Sequence, residues 1–343
     1  MSRGGTTLTD VARAAGVSLS TASLAFSGAG PIADATRAKV LAAAAELEYH
    51  GPDPVAASLR RGRSGVVGVL MGGAVRRSFR DPVSIQFLDG VVTTLAAQGH
   101  GTLLLSAAEG HDAVEDLVRH GAMDAAVLMG GAFMSRRTME VLAARRLPTV
   151  QIGGSGRQGT TVRAREKEAM CVLGQHLRER GHSRVAVATM PWHSTRRSGP
   201  VDLTTAARPT SPFTARRLDG LRAAGLEPVA AWECSGSLVE EGIAAGKAML
   251  KYEPTALIGF SDLIAAGLLL AAQEAGLTVP DQVAVAGFDG VNLPWLGETE
   301  LTSIMLPIAD MGRHAATAAL ALARGEEAPS VLMDAELRVG TTT

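Results

Sequence analysis

Leu8-Thr9-Asp10-Val11-Ala12-Arg13-Ala14-Ala15-Gly16-Val17, the stretch on which the reading of this chain turns, has the punctuation of one short helix. Thr9 is placed to cap it, Val11, Ala12 and Ala15 fall on one face, and Gly16 supplies a stop. Ser18 follows as the cap of a second short helix, Leu19 to Phe26, in which Ala22 and either Ala25 or Phe26 turn inward. That leaves Leu19, Ser20, Thr21, Ser23 and Leu24 facing outward or sideways. Two short helices joined by a tight turn make a helix-turn-helix, whose second member fits a major groove. A third helix, with Asp34 as cap and Val40, Leu41, Ala44 and Leu47 at bracing intervals, carries Tyr49 in its last turn.

Outward from this head, residues 1–6 read as a polar tail, and Gly51-Pro52-Asp53-Pro54 breaks regular structure. Val55 to Arg61 then regains helical spacing, with Pro54 suited to a first turn. From Gly65 the texture changes. Val66 to Met71, Gly101 to Leu105, Ala125 to Met129, Thr149 to Ile152, Val185 to Thr189, Ala256 to Phe260 and Val283 to Gly287 read as buried parallel strands. Amphipathic stretches near 85–98, 112–119, 135–145, 167–180, 215–224, 239–250 and 261–275 alternate with them. This alternation predicts doubly wound α/β lobes, and the polar Gly153 to Gly159 stretch divides the strands into two sets.

Composition sets bounds on function. A chain of 343 residues exceeds one small DNA-binding module and leaves about 280 residues beyond the head to form further domains. With 46% hydrophobic residues but 3% aromatics, the cores are expected to be built from Ala, Val and Leu. Residues 1–63 hold seven Lys and Arg against five Asp and Glu, a balance of +2. So modest a footprint calls for a dimer, or for helix-dipole and polar contacts to phosphate. Cys171 and Cys234 are too few for a disulfide framework, and no signal-like start or membrane-length apolar run is present, so a soluble cytoplasmic protein is expected.

The run from Thr7 to Ser18, with Ser20-Thr21-Ala22-Ser23, Asp34-Ala35-Thr36-Arg37, Val40-Leu41-Ala42-Ala43-Ala44 and Ala57-Ser58-Leu59-Arg60, resembles the head of the lactose-repressor (LacI/GalR) family. Further along, Pro254-Thr255-Ala256, Ser261 to Gly267, Glu274 to Pro280, Val283 to Asp289, Leu301 to Ile304 and Met311-Gly312-Arg313 extend the resemblance, which is weakest between Arg163 and Pro212. It implies an all-α head at 1–50 and a hinge helix and linker at 51–63. A two-lobed, periplasmic-binding-protein-like sensor follows, with lobe 1 at 64–160 plus about 291–324 and lobe 2 at 161–290 plus about 325–343. The hydroxyl-bearing Ser18, Thr21, Ser23, Thr36 and Tyr49 match positions that hold the phosphate backbone. Leu19, Ser20 and Leu24 stand where base-reading side chains project, and Leu59 matches a wedge that enters the minor groove. Two leucines and a serine depart from the family pattern, because they make no bidentate contact to adenine or guanine.

In open α/β lobes ligands sit beyond the carboxyl ends of strands. That places Gly72 to Val75, Gly130 to Phe133, Met190, Ser261 with Asp262, and Asp289 around a cleft. Arg217, which matches an effector-reaching arginine in the resembled family, Asp262, Asp289 and, as a stacking wall, Trp295 are the candidate effector contacts. The segment from Pro191 to Pro212, with Arg196, Arg197 and Arg208, is placed either to form a lid or to be a solvated loop. Histidines are scattered without metal-ligand spacing, and Gly65 to Gly73 fits neither a dinucleotide nor a nucleoside-triphosphate motif. No catalytic residue, metal or cofactor is expected. The expected protein is a homodimeric transcriptional regulator, a repressor, that binds a palindromic double-stranded DNA operator away from any membrane and answers to a small-molecule effector, with a sugar or related metabolite among the candidates. The rival expectations are a small-molecule binding protein or enzyme whose head no longer binds DNA, and a DNA-binding regulator controlled by a protein partner.

Overall fold

Helix α1 (Leu8–Ala14) begins two residues earlier than expected, because Thr7 and not Thr9 is paired with an acid three residues on. The Thr7 hydroxyl accepts from the Asp10 N–H at 3.3 Å while the Asp10 carboxylate accepts from the Thr7 N–H at 3.0 Å, a reciprocal capping box. Gly16, at φ 61°, ends the helix, with Gly16 N–H on the Arg13 carbonyl at 3.1 Å and Val17 N–H on the Ala12 carbonyl at 3.0 Å. Ser18 Oγ accepts from the Thr21 N–H at 3.1 Å and so opens α2 (Leu19–Ser27). In α3 (Asp34–Glu46) the cap is Ala33, without a side-chain bond. Asp34 is therefore a first-turn residue, whose charge complements the helix N-terminus, and not the expected cap.

The head closes over Val11, Ala12, Ala15, Ala22, Ala25, Val40, Ala43 and Ala44, with Phe26, Leu47 and Tyr49 packed alongside. Leu41 is 44% exposed, and Ala43 occupies the inward position expected of it.

The computed structural model describes residues 6–27, 30–51, 58, 62–72, 75–106, 112–130, 134–154, 159–193 and 196–343. Most of the expected hinge helix, Leu59 included, lies outside the described residues. The chain divides into two units, Met1–Gly65 and Val66–Thr343.

In the second unit two sheets form among the described residues. The first comprises β1 (Val66–Met71), β2 (Gly101–Ser106), β3 (Ala125–Met129), β4 (Thr149–Ile152), β5 (Thr160–Ala164) and β12 (Val331–Met333), in the order β12-β5-β4-β3-β1-β2, all parallel. The second comprises β6 (Val185–Thr189), β7 (Gly199–Val201), β8 (Ala230–Glu233), β9 (Ala256–Gly259), β10 (Ala284–Asp289), β11 (Thr302–Met305) and β13 (Glu336–Arg338), in the order β13-β11-β10-β9-β6-β8-β7. Its interior is parallel, and its edges, β7 on β8 and β13 on β11, are antiparallel.

Helices flank each sheet: α4 (Pro82–Ala97), α5 (Asp112–His120), α6 (Arg136–Ala144) and α11 (Ile308–Ala323) on the first, and α7 (Glu166–Glu179), α8 (Pro212–Ala223), α9 (Val239–Met249) and α10 (Asp262–Glu274) on the second. The shortage of aromatics is met by close backbone approach. A Cβ on Gly90 of α4 would collide with the Ala309 carbonyl of α11, and one on Gly267 of α10 with the Val239 carbonyl of α9. Phe87, Phe260 and Phe288 are the largest fully buried side chains, each stabilising by about 1.5–3 kcal/mol relative to exposure.

Three passages of chain join the lobes, all later than expected. β5 still pairs with β4, so the first crossing falls at Arg165 rather than near residue 160. β11 pairs with β10, so the second falls between Met305 and Ile308 rather than near 290. The third runs from Met333 to Glu336 rather than near 325. The first and third crossings are tied together, Arg165 N–H to the Met333 carbonyl at 2.9 Å and Arg165 Nε to Asp334 Oδ1 at 2.9 Å.

Candidate functional site

Between the lobes lies a cavity of about 190 Å³. It opens where strand ends leave space: Met71 and Gly72 after β1, Met129 and Gly130 after β3, Ile152 and Gly153 after β4, Met190 after β6 and Asp289 at the end of β10. Phe87 of α4, Phe213 of α8 and Met311 of α11 complete an apolar wall. Gly153 has φ 67°, and a Cβ there would meet the Phe213 ring, so glycine is what lets the two lobes touch at this wall.

Its polar end is built on Arg217. The guanidinium is buried, lies 3.8 Å from the Phe288 ring centroid, and donates from Nε and Nη2 to Glu166 Oε1 at 3.3 and 2.9 Å and from Nη1 to the Phe260 carbonyl. Arg216 donates to the other oxygen of Glu166 at 2.7 Å. Asp289 faces Arg217 Nη2 at 3.6 Å, beyond hydrogen-bond reach, and burial drives its carboxyl well above the usual range, only partly offset by Arg217. Its φ of 118° is strained for any residue other than glycine, a cost of about 1–3 kcal/mol sustained by the surrounding sheet.

Asp262 takes a different place from the one expected. It lies outside the cavity lining, buried at the start of α10, where Oδ1 accepts from Ser303 Oγ at 2.6 Å and Oδ2 from the Val291 N–H at 2.8 Å. Burial raises its carboxyl to about 6 against those hydrogen bonds. It pins the chain after β10. Trp295, in the 3-10 turn Pro294–Leu296, is 52% exposed and also lies outside the lining. Its nearness to Asp289 in sequence misled because the chain turns away at Gly290. Residues 73–74 and 131–133, expected at the cleft, lie outside the described residues.

Sequence reasoning passed over Asp81, Glu166 and Phe213. Asp81 lines the cavity and caps α4, accepting from the Val83 N–H and Ser84 Oγ at 3.1 Å each, and burial raises its carboxyl. The Asp81-Pro82 pair was the available signal, since Pro belongs at a first helical position. Nothing local marked Glu166, whose partners are 50 and 51 residues away.

The lobes are held closed at several points. Arg196, in the segment expected to be a lid or a loop, donates to the Gly72 carbonyl of lobe 1 at 2.5 Å and to the Ser235 carbonyl at 3.0 Å. Arg216 reaches the Gly153 carbonyl at 2.8 Å, and Arg80 pairs with Glu240 at 2.5 Å on the exposed rim.

On the head, Leu19 is 51% exposed and Ser18 and Ser20 are exposed, whereas Thr21, Ser23, Leu24, Thr36 and Tyr49 are half-buried. Ser18 Oγ lies 2.8 Å from Ser20 Oγ and 2.7 Å from Thr21 Oγ1, so α2 begins in a patch of hydroxyls suited to phosphate oxygens. The Leu24 side chain is close enough to Gly30 that a Cβ there would sit 3.0 Å from it. The Tyr49 ring packs edge-on against Phe26, centroids 5.5 Å apart. Arg37, in the first turns of α3, has a buried Nε with no hydrogen-bond partner among the described residues, a further polar group that sequence reasoning passed over. Among the described residues no His, Cys, Asp and Glu group is arranged to hold a metal, and no helix is long and apolar enough to cross a membrane.

A helix-turn-helix followed in the chain by two α/β lobes, joined by three crossings around a cavity, defines a DNA-binding regulator of the ligand-sensing class. The comparisons agree. Residues 7–52 match the model of bacterial regulatory proteins, lacI family, and residues 175–343 that of a periplasmic binding protein-like domain. An HTH-type transcriptional regulator of Mycobacterium tuberculosis, Rv3575c, is 31% identical over 98% of this chain and 96% of its own length. The HTH-type transcriptional repressor CytR of Escherichia coli is 27% identical over 98% and 96%. In fold, the lac repressor dimer bound to operator and an anti-inducer superposes with a TM-score of 0.80 at 22% identity over 99% of each chain, and a transcriptional regulator CelR–cellobiose complex with 0.71 at 23% over 98% and 100%. The chain belongs to the lacI family of bacterial regulatory proteins and is a DNA-binding transcriptional regulator.

Proposed function

We propose that this regulator is a cytoplasmic repressor, without enzymatic activity, that binds a palindromic operator as a homodimer and is controlled by a small molecule held between its lobes. The observation that carries the reading is the cavity, lined from both lobes and bordered by the chain crossings. A ligand there contacts groups on both sides of a hinge, so it binds the open and closed forms unequally and shifts them by that difference alone. Linkage then requires operator DNA to change effector affinity by the same factor. On the head, the Ser18, Ser20 and Thr21 hydroxyls, with Ser23, Thr36 and Tyr49, would fix the backbone, and Leu19 and Leu24 would touch thymine methyl groups. Fluorescence anisotropy on an inverted-repeat duplex from the upstream region of its own gene and on a random duplex, with and without a metabolite panel, tests this. The expected result is a preference for the repeat that one metabolite alters. Equal affinity for both duplexes, unaffected by any metabolite, would sink it.

A further inference from the structure

The charged donors around the cavity, and two of its serine hydroxyls, are already engaged. Arg217 is engaged by Glu166 and the Phe260 carbonyl, Arg196 by two backbone carbonyls, Ser84 Oγ donates to Asp81, and Ser237 Oγ to Ser261. Acceptors are left over. The Asp289 side chain is 8% exposed, lines the cavity, and accepts no hydrogen bond among the described residues, its nearest cation being Arg217 at 3.6 Å. Asp81, across the cavity on the other lobe, meets a backbone N–H and a serine hydroxyl but no cation among the described residues. Glu166, by contrast, is held by two guanidiniums. The remaining wall is apolar, with Phe87, Phe213, Met129, Met190, Ile152 and Met311.

From this geometry we infer that the effector is a small hydrophobic amine, its protonated nitrogen at Asp289 and Asp81 and its apolar body against the phenylalanine and methionine wall. The inference rests on the reading of this cavity as the effector site. An ammonium group brings donors only, which is what the site lacks, and a charged donor to a carboxylate makes the stronger kind of hydrogen bond. A sugar brings as many acceptors as donors, and most of them would meet methionine and phenylalanine, with no charged donor left unengaged to face them. A carboxylic acid would set its charge beside Asp289 and Asp81, where the near cation, Arg217, is already held by Glu166. The amine also acts across the hinge, because Asp81 belongs to lobe 1 and Asp289 to lobe 2.

Calorimetric titration of the full-length chain with 2-phenylethylamine, 2-phenylethanol, 3-phenylpropanoate and glucose separates the classes. The amine is expected to bind more tightly than the isosteric alcohol by roughly tenfold or more, as a charge-assisted bond to a buried carboxylate implies, with no measurable binding of the acid or the sugar. Asp289→Asn should bring the amine down to the alcohol's level while leaving the alcohol unchanged. Asp81→Asn, which keeps a helix-capping side chain, gives the same readout should the first variant fold poorly. Equal affinity for amine and alcohol, or no amine binding at millimolar concentration, overturns the amine class. Preferred binding of glucose or the acid also overturns it, and if that binding is lost in the cavity-filling Phe213→Trp variant, the cavity remains the effector site. Amine binding that survives Phe213→Trp undiminished would show that the site itself lies elsewhere.

Discussion

At the scale of single residues, buried carboxylates set how the sensor responds to acid. Asp262 titrates near 6 in the fold against 3.8 in the free state because burial outweighs its bonds to Ser303 and Val291. A raised value means that the folded state holds its proton more firmly. Its contribution to stability is therefore complete below about pH 4 and is lost as pH rises through 6, a change on the order of 3 kcal/mol. Asp289 and Asp81 shift in the same direction. Asp262→Asn should flatten, without abolishing, the fall in melting temperature between about pH 4 and pH 7; an unchanged slope by scanning calorimetry would show that Asp262 does not titrate there. Arg217 has the opposite role, since it holds Glu166 and faces Asp289. Removing one member of such a buried group costs about 3–5 kcal/mol. Arg217→Ala should lower the melting temperature of the sensor as well as any ligand response, and a loss of response at unchanged stability would mean that Arg217 meets ligand directly instead of positioning its neighbours.

At the scale of elements, the helices are held by caps and by glycine contacts more than by large side chains. The reciprocal bonds between Thr7 and Asp10 make α1 sensitive to one substitution. Thr7→Ala should destabilise the head by about 1 kcal/mol, seen as weaker specific DNA binding with the sensor transition unmoved. In the sensor, α4 and α11 cross with Gly90 against Ala309. Gly90→Ala forces them apart and should cost about 1–3 kcal/mol, against the small gain that alanine gives an open helix. A variant as stable as the parent would indicate that the two helices separate freely. The strands and helices of strongest period were legible from residue pattern, including β1, β3, β4, β6 and β9 to within a residue. β8, β12, β13 and β7 were not, because each is defined by what it pairs with. Helix α11 was missed too, although its buried Ile308, Met311, Ala315, Ala316, Ala319 and Leu320 recur at helical spacing.

At the scale of the whole molecule, the closed state of the lobes rests on contacts of unequal worth. Arg80 and Glu240 are more than half exposed, and such pairs contribute about 0–1 kcal/mol, less in salt. Arg196 instead spans the cleft to a carbonyl beside the cavity. Arg80→Ala should leave ligand affinity within about twofold, whereas Arg196→Ala should weaken it by roughly tenfold, the range of ordinary coupling between a hinge and its ligand; small-angle scattering of the two variants reports whether the second opens the lobes. Equal effects would place the latch on the rim.

The residue order by itself determined the helix-turn-helix, its alanine core and glycine stop, the alternation of strand and helix, and the membership that follows from them, because caps, turns and periodic burial are decided within a few positions along the chain. Arg217 and Asp289 were legible as cleft groups for the same reason, one by motif and one by its place at a strand end. Only the tertiary structure decided that Asp262 is a buried brace, that Trp295 faces away, that Glu166 and Asp81 share the cavity, and where the chain crosses between lobes. Those outcomes depend on partners 29 to more than 40 residues distant for Asp262 and about 50 for Glu166. No local pattern encodes which carboxylate a folded sheet buries against a donor and which it leaves facing the cleft.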